Sequence, residues 1–105
     1  MDATEFIHKA LEILRAAAPD STIILFGSRA RGDAGEGSDF DFLVVEPVVV
    51  ARRREMIRLS DALRPLRIPV DVLVVSKASF DKWSAVPGTV YFRAATEGKV
   101  LLAAA

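Results

Sequence analysis

Apolar residues recur along this chain with two periods, one typical of helices and the other of buried strands. Over residues 3–18 they recur at helical spacing, which predicts an amphipathic helix. The stripe consists of Phe6, Ala10, Leu14 and Ala17, flanked by Leu11 and Ile13. Residues 22–26 form a short β-branched run that is apolar on both faces, which predicts a buried strand. The same patterns predict further helices over 52–66 and 87–97, and further strands over 40–46, 69–75 and 99–102.

Turn-forming and capping residues separate these elements. Residues 19–21 (Pro-Asp-Ser) end the first helix, and residues 33–38 form a glycine-rich loop. Ser76 is predicted to cap a short helical turn, and Gly98 to end the last long helix. Helices that alternate with buried strands indicate one sheet covered by helices. We therefore expect an α/β (α+β) fold with a mixed sheet of about three to five strands, in a single domain over residues 1–105.

The composition excludes several classes of protein. With 105 residues, of which 51% are hydrophobic and 27% charged, the chain can bury one ordinary core. It has no cysteine, which excludes disulfides, thiolate nucleophiles and cysteine zinc sites and is typical of a reducing cytoplasm. No apolar run approaches the roughly 20 residues that span a bilayer, and the acidic N-terminus does not resemble a signal peptide. We therefore expect a cytoplasmic protein without membrane association.

Charge is balanced overall but segregated along the chain. The net charge is zero, so no direct nucleic-acid partner is expected from global electrostatics. Arginines nevertheless concentrate over residues 52–67, and they leave two readings open. They form either a solvated helix face or a docking surface for an acidic partner or nucleic acid.

The strongest chemical signal is a pair of aspartates at the start of a predicted strand. Asp39 and Asp41 are two positions apart, so on a strand they project from the same face, about 7 Å apart. Two carboxylates this close repel each other unless a cation intervenes, and Mg²⁺ prefers such hard oxygen ligands. The alternative is a solvated aspartate pair at the edge of a sheet.

A third aspartate, Asp71, interrupts the apolar run of the strand predicted over 69–75. An unpaired charge in a buried strand is costly, so this side chain needs a partner or water. A salt bridge to Arg31 or Arg67, or a solvated strand end, would satisfy it. The alternative of greater chemical interest places Asp71 beside Asp41, as the third acid of one metal site.

The turn at Gly27-Ser28 supplies a complement to these acids. A predicted strand ends there, glycine permits close approach of a ligand, and a short helical turn over 28–32 follows. Backbone N–H groups and a serine hydroxyl at such a position can bind an anion, and Arg29 and Arg31 add positive charge. An ordinary capped turn is the alternative. A phosphate-binding turn followed by three carboxylates suits nucleotidyl transfer, in which an acceptor hydroxyl attacks an α-phosphate.

The motif Gly27-Ser28-Arg29-Ala30-Arg31-Gly32, followed by Ser38-Asp39-Phe40-Asp41-Phe42-Leu43-Val44-Val45, resembles the signature of the minimal nucleotidyltransferases. These belong to the DNA polymerase β-like nucleotidyltransferase superfamily. The resemblance extends from the first helix to about Leu102. It implies that Gly27 and Ser28 bind the triphosphate of ATP, with Arg29 and Arg31 beside them. It further implies an enzyme in which Asp39, Asp41 and Asp71 hold Mg²⁺, with two ions expected, and Asp71 helps to deprotonate the acceptor.

The resemblance also implies a biological role. Minimal nucleotidyltransferases are typically encoded beside a HEPN-domain toxin, and at least some neutralise it by adding AMP to a tyrosine. A chain with little beyond the catalytic core is expected to take its acceptor from another protein, so the leading hypothesis is an antitoxin that AMPylates its HEPN partner. Two alternatives stay open, namely a non-catalytic antitoxin that acts by contact and an enzyme that modifies a small molecule such as an aminoglycoside. A homo-oligomer is possible, and a homodimer with an acceptor cleft between its subunits would favour the small-molecule alternative.

Overall fold

The computed structural model describes residues 1–32 and 39–104, so the predicted glycine-rich loop over 33–38 lies outside the described residues. The helices are α1 (Ala3–Ala17), α2 (Ser28–Arg31), α3 (Arg52–Leu63), α4 (Lys77–Trp83) and α5 (Val90–Glu97), with a 3₁₀ turn at Arg64–Leu66. The strands are β1 (Thr22–Phe26), β2 (Phe40–Glu46), β3 (Val70–Ser76) and β4 (Lys99–Leu102). Among the described residues, no helix is both long and apolar enough to cross a membrane.

The four strands form one mixed sheet in the order β3-β2-β1-β4. β1 runs antiparallel to both of its neighbours, β2 and β4, whereas β2 and β3 run parallel. The carboxyl end of β1 therefore lies at the same edge of the sheet as the amino ends of β2 and β3. The predicted α/β fold with a mixed sheet is confirmed.

Helices cover both faces of this sheet, which explains why its central strands are apolar on both sides. Alternate residues of β2 and β3 pack against α1 and α3 on one face and against α4 and α5 on the other. The first layer is built around Phe6, Leu14, Phe42, Leu59, Leu63 and Val74, and the second around Ile24, Leu43, Val45, Val75 and Ala94. Phe6 also packs against Phe40, with ring centroids 4.4 Å apart.

Two predicted helices have a boundary that differs from the expectation by three residues. α3 ends at Leu63 rather than 66, and its last turn continues as 3₁₀ helix containing Pro65, which has no N–H to donate to an α-helical bond. α5 begins at Val90 rather than 87, because the Thr89 hydroxyl accepts from the backbone N–H of Phe92 at 3.1 Å. Gly88 just before it has a φ of +91°, which a helix cannot include.

The caps predicted at Ser76 and Gly98 are confirmed, although Gly98 is required for an unexpected reason. Ser76 accepts from the backbone N–H of Ser79, and the helix it begins, α4, extends for seven residues. Gly98 has extended backbone with φ −76° instead of the left-handed conformation common at helix ends. A Cβ at this position would lie 2.3 Å from the carbonyl oxygen of Ala94 and 2.6 Å from Cγ2 of Ile24. Close packing where α5 leads into β4 therefore excludes a side chain.

Candidate active site

Asp41 and Asp71 are direct neighbours on the two parallel strands. Each is the second residue of its strand, and the parallel pairing aligns the two in register. Their side chains are close enough to share a hydrogen bond. Asp71 is exposed at the beginning of β3. The structure places Asp71 beside Asp41, and it also places Asp71 at an exposed strand end, as the solvated alternative predicted. Arg31 bonds to Glu97, and no salt bridge found within residues 1–32 and 39–104 includes Asp71.

The environment of Asp41 makes its negative charge costly. Burial raises the pKa of Asp41 above its usual value, and the charge of Asp71, a hydrogen bond with Asp71 and the charge of Asp39 raise it further. The positive charge of Arg93 acts in the opposite direction. A bound cation would relieve the same repulsion, and carboxylate oxygens on adjacent strands are the donor type that Mg²⁺ prefers. The Asp41–Asp71 pair therefore fits a divalent cation.

Asp39 lies outside this pair. It precedes the first residue of β2 and is exposed, while its charge still affects Asp41. Within the part of the chain that the structure describes, no group of three or more histidine, cysteine, aspartate or glutamate side chains has the spacing of a metal site. The fold thus brings two of the three predicted ligands together and places the third within electrostatic range.

Gly27 forms the wall opposite Asp41. Its φ of +76° and ψ of −159° are a conformation open mainly to glycine. A Cβ on this residue would lie 2.4 Å from Oδ2 of Asp41, so a side chain would displace the carboxylate. Ser28 then begins α2, whose first turn closes when the N–H groups of Ala30 and Arg31 donate to the carbonyl of Gly27 at 3.1 Å. The predicted strand–turn–helix arrangement is present.

The two arginines predicted beside this turn have different surroundings. Arg31 lines the hollow that contains Gly27, Ser28 and Asp41, and its Nη1 lies 3.4 Å from Oε2 of Glu97. The guanidinium of Arg29 lies 4.3 Å from the ring centroid of Phe40. Because neighbouring residues of a strand face opposite sides, this ring lies across β2 from Asp41. Arg31 is therefore part of the hollow's lining, and Arg29 stacks beyond it.

Arg93 is a site residue that the sequence alone did not indicate. It lies on α5, which packs against β1, and it lines the same hollow of about 320 Å³ as Gly27, Ser28 and Arg31. Its charge acts on Asp41, as described above. No local motif surrounds it, since it is one polar position on an amphipathic helix 52 residues after Asp41. The docking of α5 on the sheet is what brings it to the site.

A second hollow begins on the other side of Asp41. It has a volume of about 610 Å³ and is lined by Asp41, Asp71, Leu73 and residues of α3. Asp41 lines both hollows, whereas Asp71 lines only the larger one and Gly27 only the smaller one. Asp41 therefore stands between a hollow that contains Gly27, Arg31 and Arg93 and a separate groove along α3.

The comparison with protein families decides what kind of site this is. Residues 7–96 match the family model described as a nucleotidyltransferase domain. The chain belongs to the nucleotidyltransferase domain family. The resemblance predicted from the Gly-Ser turn and the following aspartates is thereby confirmed. A comparison with curated protein sequences found no significant match.

Several solved structures are similar to this nucleotidyltransferase. A chain of a toxin–antitoxin complex with AMP-PNP is 26% identical, with a TM-score of 0.57, over 91% of this chain and 72% of that one. A chain of the complex between the tri-AMPylated HEPN toxin and the MNT antitoxin of Shewanella oneidensis is 23% identical, with a TM-score of 0.55, over 95% and 71%. The spectinomycin adenyltransferase of Enterococcus faecialis, with ATP and spectinomycin, is 21% identical, with a TM-score of 0.61, over 85% and 38%. The last two likenesses concern the fold.

Proposed function

We propose that this nucleotidyltransferase transfers AMP from ATP to a hydroxyl group of a partner protein, with Mg²⁺, and that the partner is a HEPN-domain toxin. The observation that carries the proposal is the meeting of two hollows at Asp41, because the reaction needs a donor and an acceptor on either side of the same carboxylates. The similarity to chains from toxin–antitoxin complexes, one with AMP-PNP and one with an AMPylated HEPN toxin, supports the choice of nucleotide and partner.

The smaller hollow suits the triphosphate. Gly27 lets the polyphosphate approach the backbone, the Ser28 hydroxyl can donate to it, and Arg31 and Arg93 add positive charge. Glu97 holds Arg31 in place through the 3.4 Å contact. Because Arg29 stacks on Phe40, we assign the phosphate contacts to Arg31 and Arg93.

The carboxylates suit the reacting centre. Asp41 and Asp71, with Asp39 beside them, would hold Mg²⁺, which when bound neutralises charge on the triphosphate and on the leaving pyrophosphate. The acceptor oxygen forms a bond to the α-phosphorus, and the bond from that phosphorus to the bridging oxygen of the β-phosphate breaks. Pyrophosphate leaves with that electron pair. Asp71, on the acceptor side, accepts the hydroxyl proton and passes it to water.

Label transfer tests this proposal. The protein is incubated with ATP labelled at the α-phosphate, Mg²⁺ and a cognate HEPN-domain protein, and the label on the partner is measured. We expect labelling by the unmodified chain and a loss of at least about 100-fold for Asp41→Asn and Asp71→Asn. Asp81→Asn is the matched control, because Asp81 is exposed on α4, where it pairs with Lys77.

Two other outcomes correspond to the two alternative functions. If no label is transferred while Asp41→Asn still neutralises the toxin, the chain acts by contact and the enzymatic proposal is wrong. If label appears on spectinomycin or another aminocyclitol but not on the HEPN protein, the acceptor is a small molecule. The likeness to spectinomycin adenyltransferase is the observation that supports transfer to a small molecule as the second candidate function.

A further inference from the structure

The larger hollow is bounded by one face of α3, and this face combines basic and apolar side chains. Arg53, Ile57, Ser60 and Arg64 all line the hollow. They follow one another at intervals of three or four residues, so they form a single stripe along the helix. We call these four residues the α3 stripe. It extends for about 16 Å, from Arg53 to Arg64, at 1.5 Å per residue.

Some arginines of α3 and its flanks are used within the fold, and others line this groove. Arg52 donates through Nε to the carbonyl of Val74 at 2.6 Å, which ties α3 to β3. Arg58 donates to Glu55 and to the carbonyl of Ala17. Within residues 1–32 and 39–104, by contrast, the side chain of Arg53 makes no hydrogen bond or ion pair, and it lines the groove.

The other members of the stripe are also available for contact. Among the described residues, the side chain of Arg64 bonds only to Asp61 one helical turn earlier, and it is 79% exposed. Ile57 lies between the two arginines and is 54% exposed, so its apolar side chain is open to contact. The stripe therefore carries an arginine at each end, of which Arg64 is paired with Asp61, and an apolar side chain between them, in the hollow that Asp71 also lines.

From these observations we propose that the α3 stripe binds the acceptor segment of the partner protein, an acidic segment with an apolar residue between its acids. The inference rests on the proposed function for the identity of the reaction. Charge complementarity selects acids for Arg53 and Arg64, and Ile57 selects an apolar residue between them. A span of about 16 Å corresponds to about five residues of extended chain, with the hydroxyl-bearing residue entering beside Asp71.

A protein segment suits this surface better than a nucleic acid does. Nucleic-acid binding relies on several cations that follow the phosphate backbone. The α3 stripe offers two, separated by Ile57. The net charge of zero adds no long-range attraction.

Binding can be tested without catalysis. The probe is a fluorescein-labelled copolymer of glutamate and tyrosine, and its affinity is measured by fluorescence anisotropy without ATP or Mg²⁺. We expect the double variant Arg53→Glu/Arg64→Glu to bind at least about tenfold more weakly, and Arg53→Gln/Arg64→Gln to bind with intermediate affinity. Lys99→Glu is the control for charge reversal, because Lys99 is exposed on β4, at the opposite edge of the sheet. It should change the affinity less than twofold.

Three results would overturn the docking proposal. These are equal binding by the charge-reversed double variant, equal binding of a copolymer of lysine and tyrosine, and tighter binding of single-stranded RNA of the same length. Loss of binding in the double variant, together with normal binding of a fluorescent ATP analogue, supports it. Because the probe binds without nucleotide, a failure of AMP transfer with intact copolymer binding would count against the proposed function alone.

Discussion

Replacing Glu46 by glutamine should stabilise this protein at neutral and alkaline pH. Glu46 ends β2, about 17 Å along the strand from Asp41. Its Oε2 is buried and has no hydrogen-bond partner among the residues that the structure describes, and the carboxyl group faces that of Glu55 on α3. Burial, the hydrogen bond with Glu55 and the charge of Glu55, in this order, raise the pKa of Glu46 to about 7. Hydrogen bonds from Arg58 and from Glu46 lower the pKa of Glu55 to about 2.

The sign of the effect follows from proton binding in the two states. In the unfolded chain both glutamates titrate near pH 4.5. Between pH 4.5 and 7 the folded protein retains a proton on Glu46 that the unfolded chain has released, so stability falls as pH rises through this window. Below pH 4.5 the unfolded chain takes up more protons than the folded one, so the stabilising effect of Glu55 is lost as pH falls towards 2.

The magnitude comes from the raised pKa of Glu46. Its displacement from 4.5 to about 7 corresponds to about 3 kcal/mol at about 1.36 kcal/mol per pKa unit, which partial solvent screening reduces to about 1–2 kcal/mol. Glutamine keeps the shape of the side chain and donates an N–H to Glu55 at every pH. We expect Glu46→Gln to be about 1–2 kcal/mol more stable than the parent at pH 8 and nearly equal to it at pH 5.

Urea unfolding at pH 5, 6, 7 and 8 measures this difference. The parent should lose stability from pH 5 to 8 more steeply than the variant does, with unchanged m-values. Glu12→Gln on the exposed side of α1 is the control and should follow the parent. Parallel pH profiles for the parent and Glu46→Gln, or a variant that is less stable at pH 8, would refute the conclusion that folded Glu46 retains its proton up to about pH 7.

Three further predictions concern packing and the nucleotide side of the site. Gly98→Ala should lower the free energy of unfolding by more than about 2 kcal/mol in urea, because its Cβ would lie 2.3 Å from a backbone oxygen; an unchanged midpoint would contradict this packing. Leu59→Ala, at a position with no solvent exposure, should cost about 2–5 kcal/mol by the same assay, whereas Ile57→Ala should cost less than about 1 kcal/mol. Arg93→Ala should raise the KM for ATP about tenfold in the label-transfer assay, and Arg93→Lys should restore part of the affinity; an unaltered KM would remove Arg93 from the triphosphate site.

Several features of the fold could be predicted because their signals are local. The bounds of β1 and β2 follow directly from two short apolar runs, and α1 follows from its periodic stripe. The end of α3 and the beginning of α5 could not be predicted from such local signals. They depend on how Pro65 and Gly88 shape the backbone around them, and periodicity does not report on a change from α to 3₁₀ geometry or on a turn just before a helix.

In the candidate site, the sequence indicates some of the residues and tertiary packing decides the others. Composition and spacing placed Asp41 and Asp71 on strands and Gly27 in a turn, because each residue interrupts or ends an apolar run. They did not reveal that Arg29 stacks on Phe40, or that Arg93 reaches the hollow of Gly27 and Ser28 from a helix more than 50 residues away. Both outcomes depend on how side chains and helices pack on the sheet.

The sequence by itself determined the elements of this protein and the types of chemistry available to it, since helical and strand periods and turn residues act over a few positions. The tertiary structure decided which groups meet. Parallel pairing of β2 with β3 aligned Asp41 with Asp71. The contact of α3 with β3 placed the α3 stripe in the hollow that both aspartates line. Strand order and register arise from burial shared by the whole sheet, so no short segment of sequence specifies them.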